Sequence, residues 1–228
     1  MTQLENPLLL GIETSADICS VAISSENYNY IHYLINIKRF HDKLLAEITR
    51  RALNDLEIDL SSIDAVAISS GPGSFTGLRI GASFAKALCI NGSPKFISVP
   101  TLFAYSVAAE EIARMFRIKK IHSIITANSG IIYHQIYDNN SNELSVTEMI
   151  KMNDFIENIK NTGNSDNNDL YVGNALQSFN NVEILNYTEL NYMDAIKISK
   201  AGWRLYKKGK FTDPTSFEPQ YIQDVITK

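Results

Sequence analysis

Apolar residues run along this chain in two periods. Continuous apolar stretches at 7–13 (PLLLGIE), 18–24 and 64–69 predict short buried strands. At 27–36 the aromatic and β-branched residues Tyr28, Tyr30, Ile31, Tyr33 and Ile35 predict another. The period then changes. Leu44, Ile48, Ala52 and Leu56 recur every fourth residue, with Leu45 and Leu53 beside them, so 41–57 reads as an amphipathic helix. A second helix is expected over 75–90, a strand over 96–99, and a third helix from Pro100-Thr101 to about Arg114. Further on, strands are predicted at 121–126, 131–137, 144–149, 170–172 and 182–185, and helices at 154–159 and 193–208. The polar run at 162–169 (TGNSDNND) predicts a loop.

The order of these elements is informative. Three hairpin-linked strands followed by alternating helices and strands match one half of a ribonuclease-H-like fold. Two such halves make the actin-like ATPase architecture. The predicted fold is therefore α/β, with two subdomains of mixed sheet and flanking helices, at 1–105 and 106–228. The second is abbreviated, and no internal sequence repeat accompanies the duplication.

Composition narrows the class. The 228 residues are 45% apolar and 20% charged, ordinary for a globular protein. A formal charge of −4 argues against a generally basic nucleic-acid binder. Cys19 and Cys89 lie in apolar runs without metal-type spacing, which predicts buried, reduced thiols. No apolar run reaches a membrane-spanning length, and MTQLENPLLLGIET lacks the basic start and cleavage pattern of a secretory signal. A soluble cytoplasmic chain without membrane association is expected.

The richest stretch for chemistry is 69–81, SSGPGSFTGLRIG. A strand, a glycine-rich turn (Gly71, Gly73, Ser74, Thr76, Gly77) and a helix start could cradle an anion on free N–H groups, or could be a tight turn with no ligand. In actin-like ATPases the turn after the first strand grips phosphates. Here that turn is Glu13-Thr14-Ser15, where Glu13 could hold hydrated magnesium and the two hydroxyls could reach phosphate. The matching turn of the second half, residues 126–130 (TANSG), has no carboxylate, and the adenosine turn at Gly173-Asn174 has one glycine. Half the parts of a phosphoryl-transfer site are missing, so a weak or vestigial nucleotide site is expected. The four histidines have no paired metal spacing, so no metal is expected, and His41 reads as a helix cap or a solvent residue. Ser74 has no base near it in sequence and lies outside a G-x-S-x-G turn, so no catalytic residue is assigned. Lys197, Lys200, Arg204 and Lys207 form a stripe on the last helix, which suits RNA phosphates or, more ordinarily, solvent. The helix at 75–90 carries small residues four apart and apolar residues almost all round, so one side suits a partner chain.

The segments GIETSADICSVAI, His41 with Asp42-Lys43-Leu44-Leu45, and above all SSGPGSFTGLRIGASFAKAL resemble the TsaB (YeaZ) family. The likeness covers residues 8–105 and thins beyond 120. There Thr126, Asn128 and Ile131 stand at charged positions of the family's pattern, and Gln223 stands in place of an arginine. The resemblance implies an actin-like scaffold without transfer activity of its own. Its implied partner is a TsaD-like transferase, bound as a heterodimer, which attaches threonylcarbamoyl to the tRNA adenosine beside the anticodon. A TsaE-like ATPase joins that complex, tRNA is met through it, and the chain alone could form a homodimer. No cofactor of its own is implied beyond weak ATP or ADP binding. Carried onto this chain, the interface falls on Phe75, Leu78, Gly81, Ala82 and Ala85, so a bulky residue at Gly81 or Ala85 is expected to break the heterodimer. An actin-like ATPase or kinase using Glu13, and an endopeptidase acting on its partner, are the competing readings.

Overall fold

The computed structural model describes residues 4–37, 40–162, 169–179 and 184–220. Its first elements are β1 (Leu9–Glu13), β2 (Cys19–Ser24), β3 (Asn29–Ile35), α1 (His41–Asp55), β4 (Ala65–Gly71), α2 (Phe75–Cys89), β5 (Lys95–Pro100) and α3 (Thr101–Met115). Then follow β6 (Lys120–Thr126), β7 (Ile131–Asp138), β8 (Glu148–Lys151), α4 (Met152–Thr162), β9 (Leu170–Val172), β10 (Leu185–Asn186) and α5 (Ala195–Lys207). They form two compact units. One holds residues 1–101 and 194–228, the other 102–193.

The first unit is built on a five-stranded sheet in the order β3-β2-β1-β4-β5. β1 pairs antiparallel with β2 and parallel with β4. Strands buried on both faces read as continuous apolar runs, which is why 7–13 and 64–69 lack polar alternation. Along β1, Leu10 and Ile12 join a core with Leu45, Ile48, Ala82 and Ala85 of α1 and α2. The alternate residues face α5, where Gly11 meets Ser199 and Leu9 approaches Gly202. Full burial of β1, β2 and β4 thus follows from helices on both faces.

The second unit repeats this plan. Its sheet runs β10-β9-β6-β7-β8, with β6 antiparallel to β7 and parallel to β9. It is shorter, as expected. β9 and β10 span three and two residues, and the place of α2 is taken by a single 3-10 turn, Asn174–Ser178.

Three expectations are corrected. The division of the chain is not 1–105 and 106–228: α5 and the tail belong with the first sheet, and α3 belongs with the second from Leu102 onward. An amphipathic pattern says that α5 must be buried, but not on which sheet. The strand expected at 144–149 begins at Glu148, and Leu144 and Val146 stay exposed. The helix expected at 154–159 extends over Met152–Thr162. The loop expected at 162–169 and the start of the strand at 182–185 fall mainly outside the described residues, as does the tail beyond Gln220.

Candidate functional site

β4 ends at Gly71, and the chain turns through Pro72 and Gly73 into α2. Ser74 is the N-cap: its Oγ accepts from Gly77 N at 3.3 Å, and its own N–H donates to Ser15 O at 2.7 Å. Thr14 Oγ1 donates to Gly77 O at 2.8 Å. The turn after β1 and the start of α2 are therefore laced directly together. A methyl group on Gly77 would overlap the Thr14 carbonyl oxygen, and one on Gly81 would overlap Thr14 Oγ1. Gly73 lies against Ser15 in the same way. These glycines admit the chain's own backbone. Gly71, at φ +107°, has the Gln220 carbonyl oxygen where a side chain would begin, and Gln220 N donates to Ser70 O at 2.7 Å. Thr76 is exposed on the first turn of α2.

Glu13, Thr14 and Ser15 do come together with the glycine turn, as the sequence suggests. Their donors and acceptors are turned inward, however. All three are buried, and Ser15 N–H donates to Glu13 Oε1. Glu13 Oε2 has no hydrogen-bond partner. Burial pushes the Glu13 carboxyl up to about 7, against the hydrogen bonds from Ser15 that favour its ionised form. A carboxyl that holds its proton towards neutral pH, enclosed beside β1, is a poor holder of hydrated magnesium. The donor set fits a closed turn and does not fit a metal-nucleotide.

The second unit's turn is closed similarly. Thr126 N donates to Asn174 Oδ1 at 2.8 Å, so the expected adenosine turn is occupied by Thr126. Gly173, at φ +121°, sits on the Ile124 carbonyl, where any side chain would collide.

Four of the five interface residues are placed differently from expectation. Leu78, Gly81, Ala82 and Ala85 are buried in the first unit's own core, and only Phe75 is exposed. Their small size serves the approach of α2 to Thr14 and to the sheet. A bulky residue at Gly81 or Ala85 would disrupt the fold before any interface. What α2 does present is Phe75 with the Arg79 guanidinium 4.1 Å from its ring centroid, then Ile80, Ser83 and Phe84. With Asp42, Leu45 and Ala46 of α1, the last three and Arg79 line an apolar groove of about 430 Å³.

His41 is buried at the start of α1, whose N-cap is Phe40, so it neither caps the helix nor lies in solvent. The basic stripe of α5 is also broken. Lys197 is buried, with Nζ 2.8 Å from Asp194 Oδ2, and Lys207 pairs with Glu26 at 2.6 Å. Cys19 and Cys89 are buried and unpaired, and burial pushes both thiols up to about 12, out of nucleophile range. Among the described residues, no group of three or more metal-ligating side chains assembles, and no helix is long and apolar enough to cross a membrane. The sequence reading missed one cluster: His122 and His134, far apart along the chain, meet on β6 and β7.

The class that emerges is a duplicated actin-like fold whose phosphate turn is closed by its own backbone. Residues 35–114 match the family model described as TsaD, tRNA N6-adenosine threonylcarbamoyltransferase. The TsaB protein of Buchnera aphidicola from Schizaphis graminum is 30% identical over 67% of this chain and 73% of its own length. The TsaB protein of Buchnera aphidicola from Acyrthosiphon pisum is 33% identical over 62% of each. The structure of YeaZ from Pseudomonas aeruginosa superposes with a TM-score of 0.74 at 19% identity, over 94% of this chain and 99% of that one. The chain belongs to the TsaB family of tRNA threonylcarbamoyladenosine biosynthesis proteins. It spans about three fifths to three quarters of the length of these two curated relatives.

Proposed function

We propose that this chain is a non-catalytic partner of a TsaD-like transferase, acting in the cytoplasm in threonylcarbamoyl modification of the tRNA adenosine beside the anticodon. The observation that carries this reading is the filled turn. The groups that would hold phosphate are bonded to one another, and the glycines that would approach a ligand instead approach Thr14 and Ser15. A fold of this architecture with its own turn closed retains its surfaces, and its role is to bind. The binding surface in this reading is the groove between α1 and α2, around Ile80, Ser83 and Phe84. It replaces the buried residues that the resemblance suggested.

The deciding experiment is reconstitution. Threonylcarbamoyl formation on tRNA is followed with the synthase, a TsaD-like transferase, a TsaE-like ATPase and ATP, with and without this chain. Loss of product on omission supports the partner role; unchanged product refutes it. Calorimetry with ATP or ADP on the isolated chain tests the ATPase alternative. The closed turn predicts no heat above dilution, and binding lost in Glu13→Ala would restore that alternative.

A further inference from the structure

The second sheet carries a hydrogen-bonded chain of four titratable groups. His122 on β6 and His134 on β7 are diagonal neighbours across the antiparallel pair, since His134 stands opposite Ile124. His122 Nδ1 lies 3.0 Å from His134 Nε2. The outer nitrogens continue the chain in both directions. His122 Nε2 is 3.2 Å from Asp169 Oδ2, just before β9, and His134 Nδ1 is 2.7 Å from Glu148 Oε1 on β8. Asp169, His122 and His134 are buried, whereas the Glu148 side chain is 55% exposed, so one end of the chain opens to water. Tyr171 of β9 stacks on His122 at 4.6 Å, and Phe155 of α4 packs on His134 at 4.7 Å.

Protons can be counted on this geometry. Three contacts need three hydrogens. Two neutral imidazoles supply two, because each neutral ring has one N–H and one lone pair. With both carboxylates ionised, one contact must then set lone pair against lone pair, which leaves acceptors without a donor. One added proton fills every contact. A second added proton would set two N–H groups against each other between the rings. Burial opposes charge on His134 at either step and lowers its pKa despite the Glu148 hydrogen bond; repulsion from a charged His122 opposes the second proton further.

We propose that Asp169, His122, His134 and Glu148 form a proton-gated latch across the second sheet, closed when the imidazole pair carries one shared proton and open when it carries none. The charged groups around it are few. β8 supplies Glu148, the segment before β9 supplies Asp169, and β9 supplies the Tyr171 phenol, pushed up to about 12 by burial. α4 turns Phe155 and Ile159 inward and keeps Asp154, Glu157 and Lys160 exposed. Without the shared proton the contact given up is His134–Glu148, because the Glu148 carboxylate can turn to water while the other two contacts are buried, so opening loosens the β8 edge. Its contribution is present below its titration and is lost as pH rises through it.

The chain has four histidines, so imidazole ¹⁵N NMR of the whole chain can resolve the pair. His122 and His134 are expected to titrate together in one single-proton transition. Above it, the amide of Ile150, which faces Ile132 of β7, should exchange about tenfold faster than the change in intrinsic rate accounts for. Glu148→Gln, a change at an exposed side chain that keeps the fold, should lower the midpoint of the shared transition by about one pH unit. Separate, independent transitions overturn the proposal. So does a transition that Glu148→Gln leaves in place, or β8 exchange that follows only the intrinsic pH dependence.

Discussion

Glu13 is a buried acid beside a strand end, and its energetic effect depends on pH. The folded state holds its proton up to about 7, whereas the unfolded chain releases it near 4.5. The contribution of Glu13 to stability is therefore fullest below about 4.5, declines as pH rises towards 7, and is lower above that by roughly 3 kcal/mol, at about 1.4 kcal/mol for each tenfold change in acidity. Glu13→Gln keeps the shape and removes the ionisation. Thermal unfolding should show the wild type losing more stability across this range than the Gln variant does, and the Gln variant more stable than wild type at about pH 8. A parallel decline in both would place the effect elsewhere. At Gly77 the constraint is steric. Gly77→Ala forces a methyl against the Thr14 carbonyl and should cost roughly 1–3 kcal/mol in urea denaturation. A ligand-binding glycine in open space would cost a few tenths or nothing.

At the scale of elements, α2 shows how a correct pattern can be assigned to the wrong neighbour. Its apolar residues spread round the helix, and its small residues recur four apart. Those residues admit Thr14 and Ile68 of its own unit, leaving a narrower outer face at Ile80, Ser83 and Phe84. Ser83→Arg, on the exposed side, should weaken heterodimer formation at least tenfold, or about 1.4 kcal/mol, by gel filtration or calorimetry. The melting temperature of the free chain should hardly change, because surface substitutions usually stay within about 0.5 kcal/mol. Co-elution unchanged from wild type would remove the groove from the interface. β1, β2 and β4 were legible because burial on both faces leaves continuous apolar runs. The β7–β8 connection was not, since the apolar Leu144 and Val146 lie in solvent. The histidine pair was within reach of the sequence: a hairpin turning at 128–130 sets 124 opposite 134, which brings 122 alongside. What the sequence lacked was the register, which the turn fixes only once its length is known.

At the scale of the whole molecule, the two sheets share one strand plan while their amino acids do not visibly repeat. Strand order was recoverable from the sequence of elements. The assignment of α3 and α5 to units was not, because periodicity gives the buried face of a helix and not its destination. The single tryptophan, Trp203, sits buried on α5, with Nε1 donating to Ser24 Oγ at 3.0 Å. Its fluorescence therefore reports the first unit alone. Trp203 emission is expected to shift with the Glu13 titration and to stay indifferent to Glu148→Gln, whose effect belongs to the other unit. Emission that responds to both would mean the units are energetically coupled.

The split of the first unit across residues 1–101 and 194–228 fixes an order of events during synthesis. Every strand of the first sheet leaves the ribosome before α5 exists, so one face of β1 waits uncovered while some ninety residues are translated. The second unit is contiguous and can complete itself in that interval. Among ribosome-bound chains arrested at successive lengths, protease resistance should appear in the later-encoded unit first and in the amino-terminal unit only once α5 has emerged, the reverse of the usual order in which domains mature.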